Sequence, residues 1–365
     1  MESIDDQFSE KPLFTSLLLK WSERNTRQFP WKEGKDPYQI WVSEIILQQT
    51  RVDQGLPYYH RFINQFPTIF DLAKAEEDLL MQIWRGLGYY SRARNMQNTA
   101  RLIVEKYDGK FPDERTELIK LKGIGPYTAA ALLSFAFNQP YPVVDGNVIR
   151  VLSRISGVKI AFSSPEGRKL IEQKADHFLD KTSPGIYNQA IMDFGATWCT
   201  PQKPKCSDCF FKAYCEAYKN EIVHLLPVKI KKLPKKMRYF IFFLIFDEQG
   251  QLAIQKRNGE DIWRSLYELP NVELSDFEEN NIQEATDAYF MSNNGHHIPT
   301  CHFLLQSSQL LTHQKINARF YQLDGFQSIQ SVEYQFNFVN IKNLCNFAFP
   351  KIIEKFLKSI NFIHC

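Results

Sequence analysis

Apolar residues recur at spacings of three and four through most of the first 218 positions, as in Leu79, Ile83 and Leu87 and again in Val148, Val151, Leu152 and Ile155. That period lines side chains along one face of a helix. Asp36-Pro37 and Gly125-Pro126 place proline near a first helical position, where the missing N–H has no intrahelical partner to lose. The pattern predicts a nearly all-α domain from about position 13 to 218. It changes after position 238. The run YFIFFLIF, the turn DEQG and the run QLAIQKR predict a β-hairpin, ARFYQL predicts another strand, and 350–360 (PKIIEKFLKSI) predicts a helix. The second domain is therefore expected to be a small α/β unit. Between the two, VKIKKLPKKMR at 228–238 has lysines and a proline but little to bury, and reads as a linker that could lie along phosphates. The expected organisation is a helical domain at 1–220, a basic linker at 221–238 and an α/β domain at 239–365.

A length of 365 residues exceeds one ordinary domain. With 44% hydrophobic, 14% aromatic and 23% charged residues the chain can bury real cores, which excludes a disordered class. No apolar run approaches a membrane span, and the start, MESIDDQFSEK, is acidic and polar where a secretory signal would be basic and then apolar. A cytoplasmic monomer is expected. Net charge is only +3, but 220–238 holds six basic groups against one acidic, while 239–365 holds nine against fourteen. Cationic surface is thus concentrated in the first domain and the connector.

Four of the seven cysteines crowd into one stretch as C-x6-C-x2-C-x5-C: Cys199, Cys206, Cys209 and Cys215. In a reducing compartment such thiolates converge on an inorganic centre, either an iron–sulfur cluster or a structural zinc, although zinc ribbons usually show two C-x2-C knuckles and here there is one. Cys301, Cys345 and Cys365 are scattered and read as ordinary thiols. A second motif is LKGIGPYTAAALLSF, in which Gly123 and Gly125 permit a tight turn before a helix start whose N–H groups can hold an anion.

Together these segments resemble the endonuclease III and MutY glycosylase superfamily. The cysteine spacing behind MDFGATWCT is similar to its [4Fe-4S] loop, here 199–215, with Lys203, Lys205 and Lys212 as candidates to approach the DNA backbone. The glycine turn is similar to its helix-hairpin-helix, a phosphate clamp that positions without reading sequence. The implied fold is a mostly α helix-hairpin-helix glycosylase domain with an iron–sulfur loop, followed by a C-terminal α/β Nudix-like domain.

Breaking an N-glycosidic bond calls for an acid that protonates the departing base and an anion that stabilises the oxocarbenium-like sugar. Glu44, in WVSEIILQQT, has Ile40, Trp41, Leu47 and Gln48 at three- and four-residue spacing, so desolvation should raise its pKa. Asp145, in PVVDGNVIRVLSR, lies before a helix start whose N–H groups would favour its anion; locally it could be no more than a helix cap. The family resemblance implies that Asp145 meets the sugar cation and that Asn147 orders the site. Tyr127 stands at the hairpin exit, where relatives that also cut the backbone carry a lysine for Schiff-base chemistry.

FPWKEGKDPYQIWVSEIILQQTRV and WRGLGYYSRARN resemble MutY signatures, with Lys32 at a usual arginine position. The resemblance implies that Gln49 and Tyr89 probe the base stack, and that Arg27, Trp31, Leu47, Thr50, Leu87 and Gln189 lie around the extruded base or its partner. The C-terminal domain lacks the Nudix metal pattern and is expected to bind without hydrolysing. Leu311-Thr312-His313 stands where the family's Phe-Ser-His loop meets 8-oxoguanine, making Thr312 and His313 candidates. GEDIWRSLYELP loosely follows the family pattern W-x-G-L-[WY]-x-[FL]-P. The expected function is monofunctional excision of adenine opposite 8-oxoguanine or guanine in double-stranded DNA. The alternatives are an endonuclease III-like lyase and a non-catalytic, redox-sensing DNA-binding protein.

Overall fold

The structure, a computed structural model, describes residues 11–229, 234–294, 300–324 and 336–364. Contacts divide the chain into two compact units, one formed by 1–74 and 95–232 and the other by 75–94 and 233–365. No described helix is long and apolar enough to cross a membrane.

The helical part of the chain contains α1 (Lys11–Asn25), α2 (Pro37–Leu47), α3 (Val52–Gln65), α4 (Ile69–Lys74), α5 (Glu77–Trp84), α6 (Ser91–Tyr107), α7 (Arg115–Lys120), α8 (Pro126–Phe135), α9 (Gly146–Ile155), α10 (Pro165–Phe178), α11 (Pro184–Thr197) and α12 (Glu216–Lys219). The proline start signals hold. The Asp36 carboxylate caps α2 by accepting from the Tyr38 N–H at 2.9 Å, with Pro37 in the first turn, and Gly125 precedes Pro126 at the start of α8. Val148, Val151, Leu152 and Ile155 are buried in one core with Phe14, Leu18, Phe194 and Phe211.

The other expected stripe does not fill the core. Leu80, Met81 and Trp84 are buried on α5, while Leu79, Ile83 and Leu87 are half-buried. Leu87 lies beyond the helix, because Gly86 at φ +93° and Gly88 at φ +73° turn the chain and the Trp84 indole N–H donates to the Gly88 carbonyl at 3.0 Å.

The second unit holds β1 (Lys236–Leu244), β2 (Leu252–Lys256), β3 (Tyr267–Glu268), β4 (Asn271–Leu274), α13 (Glu279–Asn294), β5 (Thr300–Leu310), β6 (Gln314–Asp324), β7 (Asn337–Val339) and α14 (Lys351–Ser359). One sheet has the order β4-β1-β6-β5 and the other β3-β2-β7. The expected hairpin is therefore only partly formed. The turn closes, with the Asp247 N–H donating to the Gln251 carbonyl at 3.0 Å and a bridge between Phe246 and Leu252. Its arms belong to different sheets. β1 pairs antiparallel with β4 and parallel with β6, and both of its faces are covered: Phe240, Phe242 and Leu244 enter one core, Ile241, Phe243 and Ile245 the other. The two edges of β1 are taken by β4 and β6, so β2 meets the chain only just past β1, where the Ala253 N–H donates to the Ile245 carbonyl at 2.9 Å, and the unbroken apolar run of β1 is the signature of burial on both faces.

Arg238 on β1 is buried in bidentate contact with Asp261 and Glu273, with N–O distances of 2.5–2.9 Å, so β1 begins inside the segment expected as a linker. Cys301 is outside any disulfide, but Cys345 departs from expectation in being disulfide-bonded, and Cys365 lies outside the described residues.

Candidate active site

Glu44 sits two-thirds of the way along α2, which is apolar all round and buried from Ile40 to Ile46. The residue is 8% exposed, and burial pushes its carboxyl up to about 7, opposed by a hydrogen bond from the Tyr127 hydroxyl to Oε2 at 2.8 Å and assisted by the charge of Asp145. Tyr127, in the first turn of α8, is itself held well above the usual phenol range by burial and by both carboxylates, so it stays a donor.

Asp145 caps α9. Its Oδ1 accepts from the N–H groups of Asn147 and Val148, each at 2.8 Å, and its Oδ2 accepts from the Asn147 side-chain amide at 2.7 Å. Burial pushes Asp145 upward, and these donors and Arg150 pull it back only in part. Asp145 is thus a true helix cap, and α8 and α9 bring Tyr127 and Asp145 within electrostatic range of Glu44.

A residue the sequence reading passed over continues this chain. Arg150 donates from Nη2 to Asn147 Oδ1 at 2.9 Å and to the Gly195 carbonyl, and from Nε to the Cys199 carbonyl at 2.8 Å. Its spacing of three from Asn147 on α9 is the signal that could have found it.

Glu44 also lines a cavity with Trp31, Lys32, Ser134, Asn138 and Gln189. Asp145 is not among the lining residues. Nor is Arg27, which is held by Asp193, a second residue that sequence reasoning missed. Leu47 ends α2, and Thr50 turns back to donate from its N–H to the Leu47 carbonyl at 3.2 Å. Gln49 between them is exposed with φ +61°.

Gly123 has φ +87°, and a Cβ there would lie 3.0 Å from the Asn95 side chain, so this turn between α7 and α8 needs glycine. A Cβ on Gly125 would meet nothing within 4 Å, which leaves the N-terminus of α8 open to an approaching phosphate.

Leu87 and Tyr89 belong to the second unit, where Tyr89 is 43% exposed with φ +49° and its hydroxyl is hydrogen-bonded to the Thr312 hydroxyl. Thr312 and His313 are exposed at the tip of the β5–β6 hairpin, which closes with the Leu311 N–H on the Gln314 carbonyl at 2.8 Å.

Cys199, Cys206, Cys209 and Cys215 line one cavity with Arg154, Trp198 and Lys205. Among the described residues no three His, Cys, Asp or Glu side chains close on a point suited to a single metal ion. All four thiols border this one space. Burial and the other thiols push Cys209 up to about 12 and Cys206 and Cys215 upward, so thiolates here require a cationic centre. The buried Arg154 guanidinium adds positive charge, 3.3 Å from Cys199 Sγ, and binds the carbonyls of Thr200 at 2.8 Å and Val223 at 3.1 Å. The donor set fits an iron–sulfur cluster. Of the nearby lysines, Lys205 lies 4.9 Å over the Trp198 ring, and Lys203 and Lys212 are exposed.

Comparison with known proteins agrees with this geometry. Residues 42–177 match the HhH-GPD superfamily of base excision DNA repair proteins, 199–215 the iron–sulfur binding domain of endonuclease III, and 241–359 the NUDIX domain. An adenine DNA glycosylase of Buchnera aphidicola subsp. Acyrthosiphon pisum is 34% identical over 358 residues, covering 96% of this chain and 98% of that one. Another, of Buchnera aphidicola subsp. Schizaphis graminum, is 40% identical over 267 residues, covering 71% and 75%. A solved thermostable thymine-DNA glycosylase is 28% identical with a TM-score of 0.55, covering 59% of this chain and all of that one. The four cysteines hold a [4Fe-4S] cluster, and the chain belongs to the MutY-type adenine DNA glycosylases, hydrolases of base excision repair.

Proposed function

We propose that the protein excises adenine mispaired with 8-oxoguanine or guanine in double-stranded DNA, turning the adenine out of the duplex into the cavity beside Glu44 and leaving an abasic site. The observation that carries the reading is a pair of coupled carboxyls in unlike surroundings. Glu44 is desolvated and receives a hydrogen bond from a phenol, so it keeps a proton near neutral pH and can pass it to a ring nitrogen of the departing base. Asp145 accepts three N–H donors, an arrangement that suits an anion facing the developing sugar cation. Tyr127 has no amine with which to form a Schiff base, which favours water as the final nucleophile.

The exposed, left-handed backbones of Gln49 and Tyr89 each carry about 1 kcal/mol of strain, and strain at exposed positions supports a role against the base stack. The Thr312 hydroxyl and exposed His313 offer donors and acceptors for the lesion base. A [4Fe-4S] cluster on the four cysteines supplies structural cross-linking of the loop after α11. The chemistry belongs to the side chains named above.

End-labelled duplexes carrying adenine opposite 8-oxoguanine test the reading. Strand breakage is expected only after alkali. Breakage without alkali would mean a lyase, and none in either case a binding protein.

A further inference from the structure

Asp193 on α11 gathers donors from three places in the chain. Its side chain is 1% exposed. Oδ1 accepts from Arg27 Nε and lies against Nη2, both at 2.7 Å, and accepts from Gln189 Nε2 at 3.1 Å. Oδ2 accepts from the Arg27 backbone N–H and from Lys32 Nζ, each at 3.3 Å. A buried carboxylate needs several donors to offset its desolvation, and this one takes them from two cations and an amide, so it fixes all three side chains.

The cations are further confined by the Phe29 ring, 5.1 Å from Arg27 Cζ and 4.9 Å from Lys32 Nζ, which stacks on Trp31 at 5.0 Å. Trp31, Lys32 and Gln189 line the Glu44 cavity, whereas Asp193 does not. Its influence on a bound base would pass through the residues it holds.

The amide of Gln189 is the most informative of these. With Nε2 turned to Asp193, Oε1 is left as the acceptor of that side chain. An acceptor suits the exocyclic amine of adenine and opposes the 6-oxo group of hypoxanthine or guanine, which is itself an acceptor. We propose that Asp193 is a positioning residue that fixes the Gln189 amide, together with Arg27 and Lys32, in the orientation that selects a 6-amino purine. The inference rests on the adenine-excision reading above and adds the group that sets its base selectivity.

In Asp193→Asn the new amide can donate to Gln189 Oε1, which frees that side chain to present Nε2 instead. Single-turnover excision, with enzyme in excess, is measured on duplexes with adenine or hypoxanthine opposite 8-oxoguanine, alongside the thermal midpoint. The variant is expected to lose about tenfold or more on adenine and to narrow the adenine-over-hypoxanthine ratio by about tenfold or more, while staying folded at the assay temperature. An unchanged ratio, whether the adenine rate is kept or both rates fall together, would overturn the proposal. Should the variant not fold, the cycle of Arg27→Gln and Gln189→Leu decides: residues ordered by one carboxylate predict a combined loss smaller than the product of the single losses, and strictly multiplicative losses overturn it. A wild-type enzyme inactive on adenine would instead remove the underlying reading.

Discussion

The phenol of Tyr127 donates to Glu44 Oε2 over 2.8 Å, and Asp145 makes both groups hold their protons more tightly. This contact stabilises the ionised form of Glu44, so removing it has a definite sign. In Tyr127→Phe the carboxyl should rise further above about 7, carrying the alkaline limb of the excision rate up by roughly one pH unit. A pH–rate profile under single-turnover conditions reads this directly. A limb that stays put or moves toward acid would separate Tyr127 from the acid.

Glu44→Gln should abolish turnover and stabilise the fold at the same time. Between its ordinary value of 4.5 and the folded value of about 7, the folded carboxyl holds a proton that the unfolded one has released. Wild-type stability therefore falls as pH rises through that window, since burying the anion is costly. The variant escapes this and should gain up to about 3 kcal/mol at about pH 8 and little near pH 4.5. Thermal unfolding of both proteins across this range checks the trend, and an advantage that grows toward acid would contradict it.

Glu44 was legible because α2 is buried from Ile40 to Ile46, so its neighbours Ile40 and Trp41 reported its environment correctly. Asp145 was legible as a helix cap, and the structure shows it capping α9 through the N–H groups of Asn147 and Val148. Arg150 and Asp193 were not legible as site residues, because their partners come from distant segments: Cys199 and Gly195 for one, Arg27 and Lys32 for the other. The β1 run was recognised as strand and its turn toward β2 forms, but its main partners β4 and β6 were not foreseen. Alternation cannot show a strand enclosed on both faces, and β1's parallel neighbour β6 lies far along the chain.

Gly195 offers a structural route to the same chemistry. A Cβ there would come 2.7 Å from Asn147 Cβ and 3.0 Å from its carbonyl oxygen. Gly195→Ala should therefore push α9 away from α11, costing about 1–3 kcal/mol of stability. It should also lower the excision rate by about tenfold or more, because Asn147 orients Asp145. Kinetics and unfolding of one preparation test both effects. A normal rate would show that the Asn147 position tolerates the shift.

Ser265 stands at the glycine position of the W-x-G-L pattern, is buried, and has φ +67°. Its N–H donates to the Arg257 carbonyl at 2.8 Å, which fixes the strained turn. Ser265→Gly should relieve that strain and stabilise the protein by up to about 1 kcal/mol without altering excision. A lower thermal midpoint would mean that the serine hydroxyl contributes more than the backbone conformation costs.

The stretch 75–94 has a further consequence, since its contacts tie it to the C-terminal unit even though the chain enters and leaves it from helical segments. Asp78 meets Lys256 and the Tyr267 hydroxyl, and Arg85 reaches the Cys345 carbonyl at 3.1 Å. No single break in the polypeptide separates two self-sufficient halves. A product ending near position 229 would strand these polar groups without their partners, and a recombination event could not exchange either unit as one block.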